Sequence, residues 1–316
     1  MKHKNIFIFG ISGQDGSYLS HLLIKKNYHV IGFTRTNNKK NLSNLTKLNI
    51  KKNLKIIQYS KNDKTFLKKN ILKFKPIHIY FLSGLSSVKK SFLDPVEAYK
   101  SNIVTLFEIL EICRKNRLSI KIYNSSSTDC FGNQKKICDE NSNFFPVSPY
   151  AKSKSYAYWL VKYYRETFKV KCVTGIVSNH ESILRNDNFV SKKIIDYVKN
   201  FDFKKKLFMG NTKVYRDWGW APDFVDAIYR INNSNIRSDY IIATGKSYSL
   251  DSFIKKVFFS AKIDKSFYKK NDNKYFRKKE VNKIFCDIKK IKKKLGWKPK
   301  HNIDQIINKL LNDKLF

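Results

Sequence analysis

The chain predicts an α/β fold: a doubly wound parallel sheet with a smaller C-terminal region. Three observations carry that expectation. Short apolar runs alternate with longer amphipathic stretches, the first run ends in closely spaced glycines, and the rhythm loosens near residue 179. The runs at 5–9, 29–33, 54–59, 78–82, 120–123 and 172–177 are brief and rich in Ile, Val, Phe and Tyr, as strands buried on both faces are. Helical segments are expected between them at 17–26, 64–74, 95–115 and 150–168. That alternation is the signature of βαβ crossovers and a parallel sheet. Farther on, helices are expected at 222–231, 250–261 and 303–311, with 240–243 returning to the sheet edge.

With 42% hydrophobic and 15% aromatic residues the chain reads as globular rather than disordered. No apolar run approaches the roughly 18 residues of a membrane helix. The apolar run Ile6-Phe7-Ile8-Phe9 stops at Gly10, too short for a secretion signal, so a cytoplasmic protein is expected. Five cysteines (Cys113, Cys130, Cys138, Cys172, Cys286) show no CxxC and no zinc spacing; neither a metal site nor a disulfide framework is indicated. The net charge of +39 would suit a polyanion. Only nine of the 64 basic residues are arginine, however, and lysines run from end to end. A compositional drift with a solvated lysine surface, including the runs at 204–206 and 289–294, is the better reading than a nucleic-acid site.

The first strand ends in Gly10-Ile11-Ser12-Gly13-Gln14-Asp15-Gly16, with a helix expected from Ser17. Glycines here allow a tight turn, close approach of a pyrophosphate and contact of helix with strand. In this strand–loop–helix context the pattern predicts a Rossmann-like dinucleotide site. An NAD enzyme would place a carboxylate about 20 residues on, to hold the ribose 2′-hydroxyl. This chain has Arg35, then Lys39 and Lys40, a cationic set suited to the 2′-phosphate of NADP.

Chemistry is expected at Tyr150 and Lys154. A tyrosine with an ordinary pKa of about 10 needs a neighbouring cation to act as a base. A lysine four residues on shares its helical face. The bare Tyr-x-x-x-Lys spacing is uninformative, since about three such pairs arise by chance in so lysine-rich a chain. The setting is what distinguishes Tyr150, which follows Ser148-Pro149 at a helix start.

Several stretches together carry a resemblance. GISGQDGSYL opens the chain, followed by FLSGLSSVKKSF (81–92), SSSTDCFG (125–132), SPYAKSKSYAYW (148–159), NHESILRNDNFVSKKI (179–194), RDWGWAPDFV (216–225), IATGKSYS (242–249), FRKKEV (276–281) and KLGWKPK (294–300). In order and spacing these resemble the GDP-mannose 4,6-dehydratases, within the extended short-chain dehydrogenase/reductase group.

The resemblance implies a tightly held NADP, a GDP-mannose-type nucleotide sugar as substrate, and a homodimer or homotetramer without membrane attachment. It implies conversion of GDP-mannose to GDP-4-keto-6-deoxy-mannose, a step toward GDP-fucose-type sugars. Residues 1–178 would bind NADP and carry Ser127, Asp129, Tyr150 and Lys154 as the catalytic set; 179–316 would hold mainly the nucleotide sugar. Gly10, Gly13, Gln14, Asp15, Gly16, Arg35, Ser83, Ser86, Tyr150, Lys154, His180 and Arg185 fall on cofactor positions. Asn179, Lys193, Arg216, Arg277 and Glu280 fall where GDP is held.

Three departures stand out. Asp129 replaces the family's glutamate and is one methylene shorter. Arg35-Thr36 stands where two arginines are usual. The aspartate that follows the third strand is matched only by Asp63, from a shifted register. A nucleotide-sugar 4-epimerase, a 4-keto reductase or a weakly active NADP-binding homologue are the alternatives these departures leave open.

Overall fold

A computed structural model describes residues 4–60, 63–270, 272 and 279–316. Twelve strands are described: β1 (Asn5–Phe9), β2 (His29–Thr34), β3 (Lys55–Gln58), β4 (His78–Phe81), β5 (Lys121–Ser127), β6 (Cys172–Val177), β7 (Asn179–Glu181), β8 (Leu207–Phe208), β9 (Tyr215–Trp220), β10 (Tyr240–Ile242), β11 (Ser247–Ser249) and β12 (Tyr268–Lys269). Seven of them form one sheet in the order β3-β2-β1-β4-β5-β6-β10, every pair parallel. Winding runs outward from β1 to β3, then restarts at β4 on β1's other side. The carboxyl ends of β1 and β4 therefore splay apart at a switch point, where such sheets bind ligands.

Both faces of this sheet are covered. Ile6 and Ile8 of β1 join one core with Tyr18, Leu19, Leu23, Phe224 and Ile228. Phe7 and Phe9, pointing the other way, join a second core with Leu67, Leu106, Ile109 and Val161. The first core is capped by α1 (Gln14–Lys25), the short α2 (Ser43–Lys47) and, later in the chain, residues 221–233; the second by α3 (Lys64–Phe74) and helices between 88 and 167. The expected helix 95–115 is met as one helical run, but it is not α-helical throughout. After α4 (Val88–Leu93) and α5 (Pro95–Tyr99), residues Lys100–Val104 form a π-helical turn before α6 (Thr105–Lys115). Polar side chains accompany it: Ser101 donates to the Glu97 carbonyl at 2.7 Å and Asn102 to that of Ala98 at 2.9 Å. A widened turn of this kind is common beside functional sites.

Then comes α7 (Pro149–Thr167), capped by Ser148 with Pro149 in the first turn, as the sequence predicts. The later helices are α8 (Val190–Lys199), α9 (Ala221–Asn233), α10 (Leu250–Ser260), α11 (Lys289–Leu295) and α12 (Ile303–Leu311). A third core, with Trp218, Trp220, Phe253 and Ile306, supports the small sheet β11-β9-β7. The return of 240–243 to the main sheet is met by β10 on β6. Asp223 of α9 ties down the chain end: its carboxylate accepts from the Lys300 and His301 amides at 2.9 and 3.1 Å and meets His301 Nδ1 at 2.9 Å.

One ion pair joins α7 to the sheet edge. Arg165 donates twice to Asp239, at 2.7 and 2.6 Å, and Asp239 also accepts from the Thr174 amide at 2.7 Å. Removing one partner strands a buried charge. Asp239→Ala is expected to cost about 3–5 kcal/mol of stability in denaturant unfolding; a loss below about 1 kcal/mol would show that the pair is dispensable.

Candidate active site

The phosphate loop is shaped by its glycines. Gly10 has φ +86°, and a Cβ there would sit 2.9 Å from the Ser83 amide; one on Gly16 would sit 2.2 Å from the Gly10 carbonyl. Side chains at either position would collide with backbone, so β1, α1 and the segment after β4 meet only because these residues lack them. Helix α1 begins at Gln14, three residues earlier than the sequence suggests, with Gly13 as its cap. Glycine at the cap lets the loop's Gly13-to-Gly10 hydrogen bond (3.1 Å) run straight into the helix. The unshared amides of the first turn consequently lie within the glycine pattern itself.

Ser83 is half-buried and Ser86 exposed, both on the segment leaving β4. The π-turn props that segment from behind. Ser101 Oγ accepts from the Leu85 amide at 3.0 Å, and Asn102 occupies the place a Gly84 side chain would need. Asn102 also donates to Ser153 of α7 at 3.0 Å. Sequence reasoning missed Ser101 and Asn102; polar residues inside an apolar helical pattern were the available signal. Arg35 lies just past the end of β2, 72% exposed, with Glu97 at 3.5 Å. Helix-end amides, a side-chain-free cradle and a cation at the ribose end suit a dinucleotide carrying a 2′-phosphate.

Two of the recognised stretches interlock. His180 Nε2 lies 2.8 Å from Asp15 Oδ1, and Nδ1 lies 2.8 Å from the Ser178 carbonyl. A carbonyl only accepts, and a carboxylate is best met by a donor, so the ring is an imidazolium. Burial opposes charge on both residues, but their attraction prevails: His180 is raised and Asp15 lowered from their ordinary values. Gln14 donates to the His180 carbonyl at 3.1 Å and accepts from Ser182 at 2.8 Å. The side chains of Gln14, Asp15 and His180, expected on the cofactor, thus bind one another and join the loop to β7. Arg185 pairs with Glu181 at 3.3 Å and stacks on Phe189 at 3.6 Å.

The residues expected to carry the chemistry gather where β5 ends and α7 begins. Ser127 accepts from the Asp129 amide at 3.2 Å, capping the single 3₁₀ turn Thr128–Phe131. Gly132, at φ +66°, closes that turn against the Phe145 carbonyl. Cys130 is a buried packing residue, as expected. Burial, reinforced by the Asp129 carboxylate, pushes the Tyr150 phenol well above its usual pKa; a hydrogen bond from Ser127 and the charge of Arg185 act in the opposite direction.

Lys154 behaves differently from the sequence expectation. Its ammonium donates to the Ser125 carbonyl at 2.8 Å, and the charge of Arg185 also acts on Tyr150. Helical spacing does bring Lys154 to the right face, but the nearest strong acceptor there is the backbone at the end of β5. Burial lowers its pKa to about 8, with Asp15 resisting. Lys154 is therefore charged below about 8 and neutral above it.

On the far side, Arg216 donates to the Tyr215 and Val281 carbonyls, each at 2.8 Å, and approaches Glu280 at 3.8 Å. Asn179 pairs in register with Trp218, two residues along β9 from Arg216. Lys193 on α8 donates to the Phe208 carbonyl at 3.0 Å. Arg277 lies outside the described residues. Asp63, matched from a shifted register to the family's adenine-contacting aspartate, is engaged in capping α3, accepting from the Phe66 amide at 2.9 Å. No cluster of metal-ligating side chains occurs among the described residues.

In isotopically dimethylated protein, the Lys154 amine should titrate near pH 8, against about 10.4 for an ordinary lysine. In Asp15→Asn it should titrate lower still. A Lys154 midpoint at or above 10 in the parent would refute this electrostatic picture.

Comparison with known proteins bears on this geometry. The sequence pattern of the GDP-mannose 4,6 dehydratase family matches residues 7–310. GDP-mannose 4,6 dehydratase 1 of Arabidopsis thaliana is 32% identical over 99% of this chain and 90% of its own length. The human GDP-mannose 4,6 dehydratase is 33% identical over 98% of this chain and 91% of its own. Among solved structures, UDP-glucose 4-epimerase from Thermotoga maritima superposes with TM-score 0.86 at 22% identity, covering 98% of each chain. The dTDP-glucose 4,6-dehydratase of Bacillus anthracis, in complex with NAD, gives 0.86 at 18%, covering 98% and 96%. Those two likenesses confirm the doubly wound fold. From the match along its whole length, this chain belongs to the GDP-mannose 4,6-dehydratase family.

Proposed function

We propose that the protein is an NADP-dependent GDP-mannose 4,6-dehydratase. The observation that carries this reading is the carboxylate of Asp129 acting on a half-buried Tyr150 at the start of α7, in a chain of this family. Residues 1–178 hold NADP through the glycine loop, Ser83, Ser86, Arg35 and Lys154; residues 179–316 hold most of the nucleotide sugar. NADP held there would supply reversible storage of a hydride from the hexose and so would not be consumed.

The protein's own groups move the protons. Tyr150 takes the O4 proton while Ser127 hydrogen-bonds the same oxygen. Burial and Asp129 both disfavour the tyrosinate this requires; Arg185 and Ser127 act toward it. With a ketone at C4, the C5 hydrogen becomes acidic and Asp129 removes it as the C6 hydroxyl leaves. Asn179, Lys193, Arg216, Arg277 and Glu280 hold the GDP portion, the cations meeting the diphosphate. The same reading sets the reaction in the cytoplasm.

Mass spectrometry of GDP-mannose incubated with the protein should show loss of one water, with no net change in NADPH. Asp129→Asn should lower this turnover at least ~100-fold while cofactor binding persists. Undiminished turnover would remove Asp129 from the mechanism. Asp129→Glu should match or exceed the parent, and a large loss would show a site rebuilt around the shorter acid.

The assembly we propose is a homodimer or homotetramer in which a second copy covers α7. Tyr156, Trp159 and Tyr163, each more than half exposed, share one face of that helix, and Phe107 of α6 adjoins it. In sedimentation velocity Trp159→Glu should shift the protein to monomer. A parent protein already monomeric at micromolar concentration would exclude this interface.

A further inference from the structure

Residues 279–288 form neither helix nor strand, except for a single bridge at Cys286. Yet this strap is fastened repeatedly. Asn282 accepts from the Tyr215 amide at 2.7 Å, Val281 from Arg216 at 2.8 Å and Ile284 from Ser247 at 2.8 Å. At its far end Cys138 pairs with it on both sides, donating to Phe285 at 2.7 Å and accepting from Asp287 at 2.8 Å.

The remaining fastening reaches the catalytic turn. Asn133 follows Gly132, which ends the turn bearing Asp129. Its side-chain Oδ1 accepts from the Asn282 amide at 2.6 Å, and its Nδ2 donates to the Glu280 carbonyl at 3.5 Å. One carboxamide thus offers both a donor and an acceptor to backbone groups two residues apart. A neighbouring strand engages an edge in the same way. The contact fixes which residue of the strap stands opposite the turn.

We propose that Asn133 is a positioning residue for the nucleotide half of the substrate, setting the register between Glu280 and the Asp129 turn. This rests on the reading above that the strap holds GDP. Asn133 is exposed and, among the described residues, meets the strap through its amide tip, so its role is registry rather than core stability. Shifting the strap moves Glu280 relative to the base; substrate binding suffers first.

The test uses the purified full-length protein with its cofactor, comparing the parent with Asn133→Ala and Asn133→Asp. Asn133→Ala should raise KM for GDP-mannose about three- to tenfold, the scale of one or two exposed hydrogen bonds. Its kcat should stay within about twofold, and its Tm and NADP content should match the parent. Asn133→Asp keeps the acceptor for Asn282 and should recover part of the loss.

An unchanged KM, a loss confined to kcat, or a fall in Tm that accompanies the whole effect would overturn the proposal. GDP binding by calorimetry separates the two readings. A parent that binds GDP but does not dehydrate GDP-mannose defeats the dehydratase reading alone, and Asn133 is then judged on the dissociation constant for GDP. A parent that binds neither defeats both.

Discussion

A buried imidazolium facing a carboxylate holds this molecule's working parts together. Asp15 belongs to the first turn of α1, His180 to a strand that begins just after the main sheet's sixth. Their contact crosses from the glycine loop to the part of the chain that follows β6. Because both ring nitrogens face acceptors, the geometry favours the positive charge, and the pairing with Asp15 raises the His180 pKa. Gln14 and Ser182 brace the same junction. With the two halves joined in this way, groups from β5, α7 and the later loops keep a constant separation.

Around that junction the electrostatics are arranged in opposition. Tyr150 has a carboxylate on one side and the reach of Arg185 on another; Lys154 is half-discharged by burial near pH 8 and partly restored by Asp15. A site balanced in this way responds strongly to whatever charge arrives with its ligands. The +39 of the chain as a whole adds a long-range pull on phosphorylated molecules without defining where they sit.

The main sheet was legible almost strand by strand, because a parallel sheet buried on both faces leaves continuous apolar runs. Tyr150 was legible too, through Ser148-Pro149. The π-turn within the helix after Tyr99 was not: its periodicity stays apolar while Ser101 and Asn102 satisfy carbonyls locally. Nor could spacing show that Lys154 would turn to the Ser125 carbonyl, since helical geometry fixes the face of a residue but not the partner of a flexible amine. Gln14, Asp15 and His180 were singled out as cofactor contacts, but their mutual bonding joins positions about 165 residues apart, a distance no local pattern reports.

The widened turn at Lys100–Val104 constrains how this region can change over time. A π-turn holds one more residue than a regular turn for about the same rotation of the helix. Leu106, Ile109 and Leu110 therefore keep their place on the core, while the surplus is taken up where Ser101 and Asn102 bond the Glu97 and Ala98 carbonyls. Deleting one position there would restore ordinary pitch and leave α6 facing the same way, but would withdraw the hydroxyl that holds the Leu85 amide. The added residue serves the neighbouring segment, not the core.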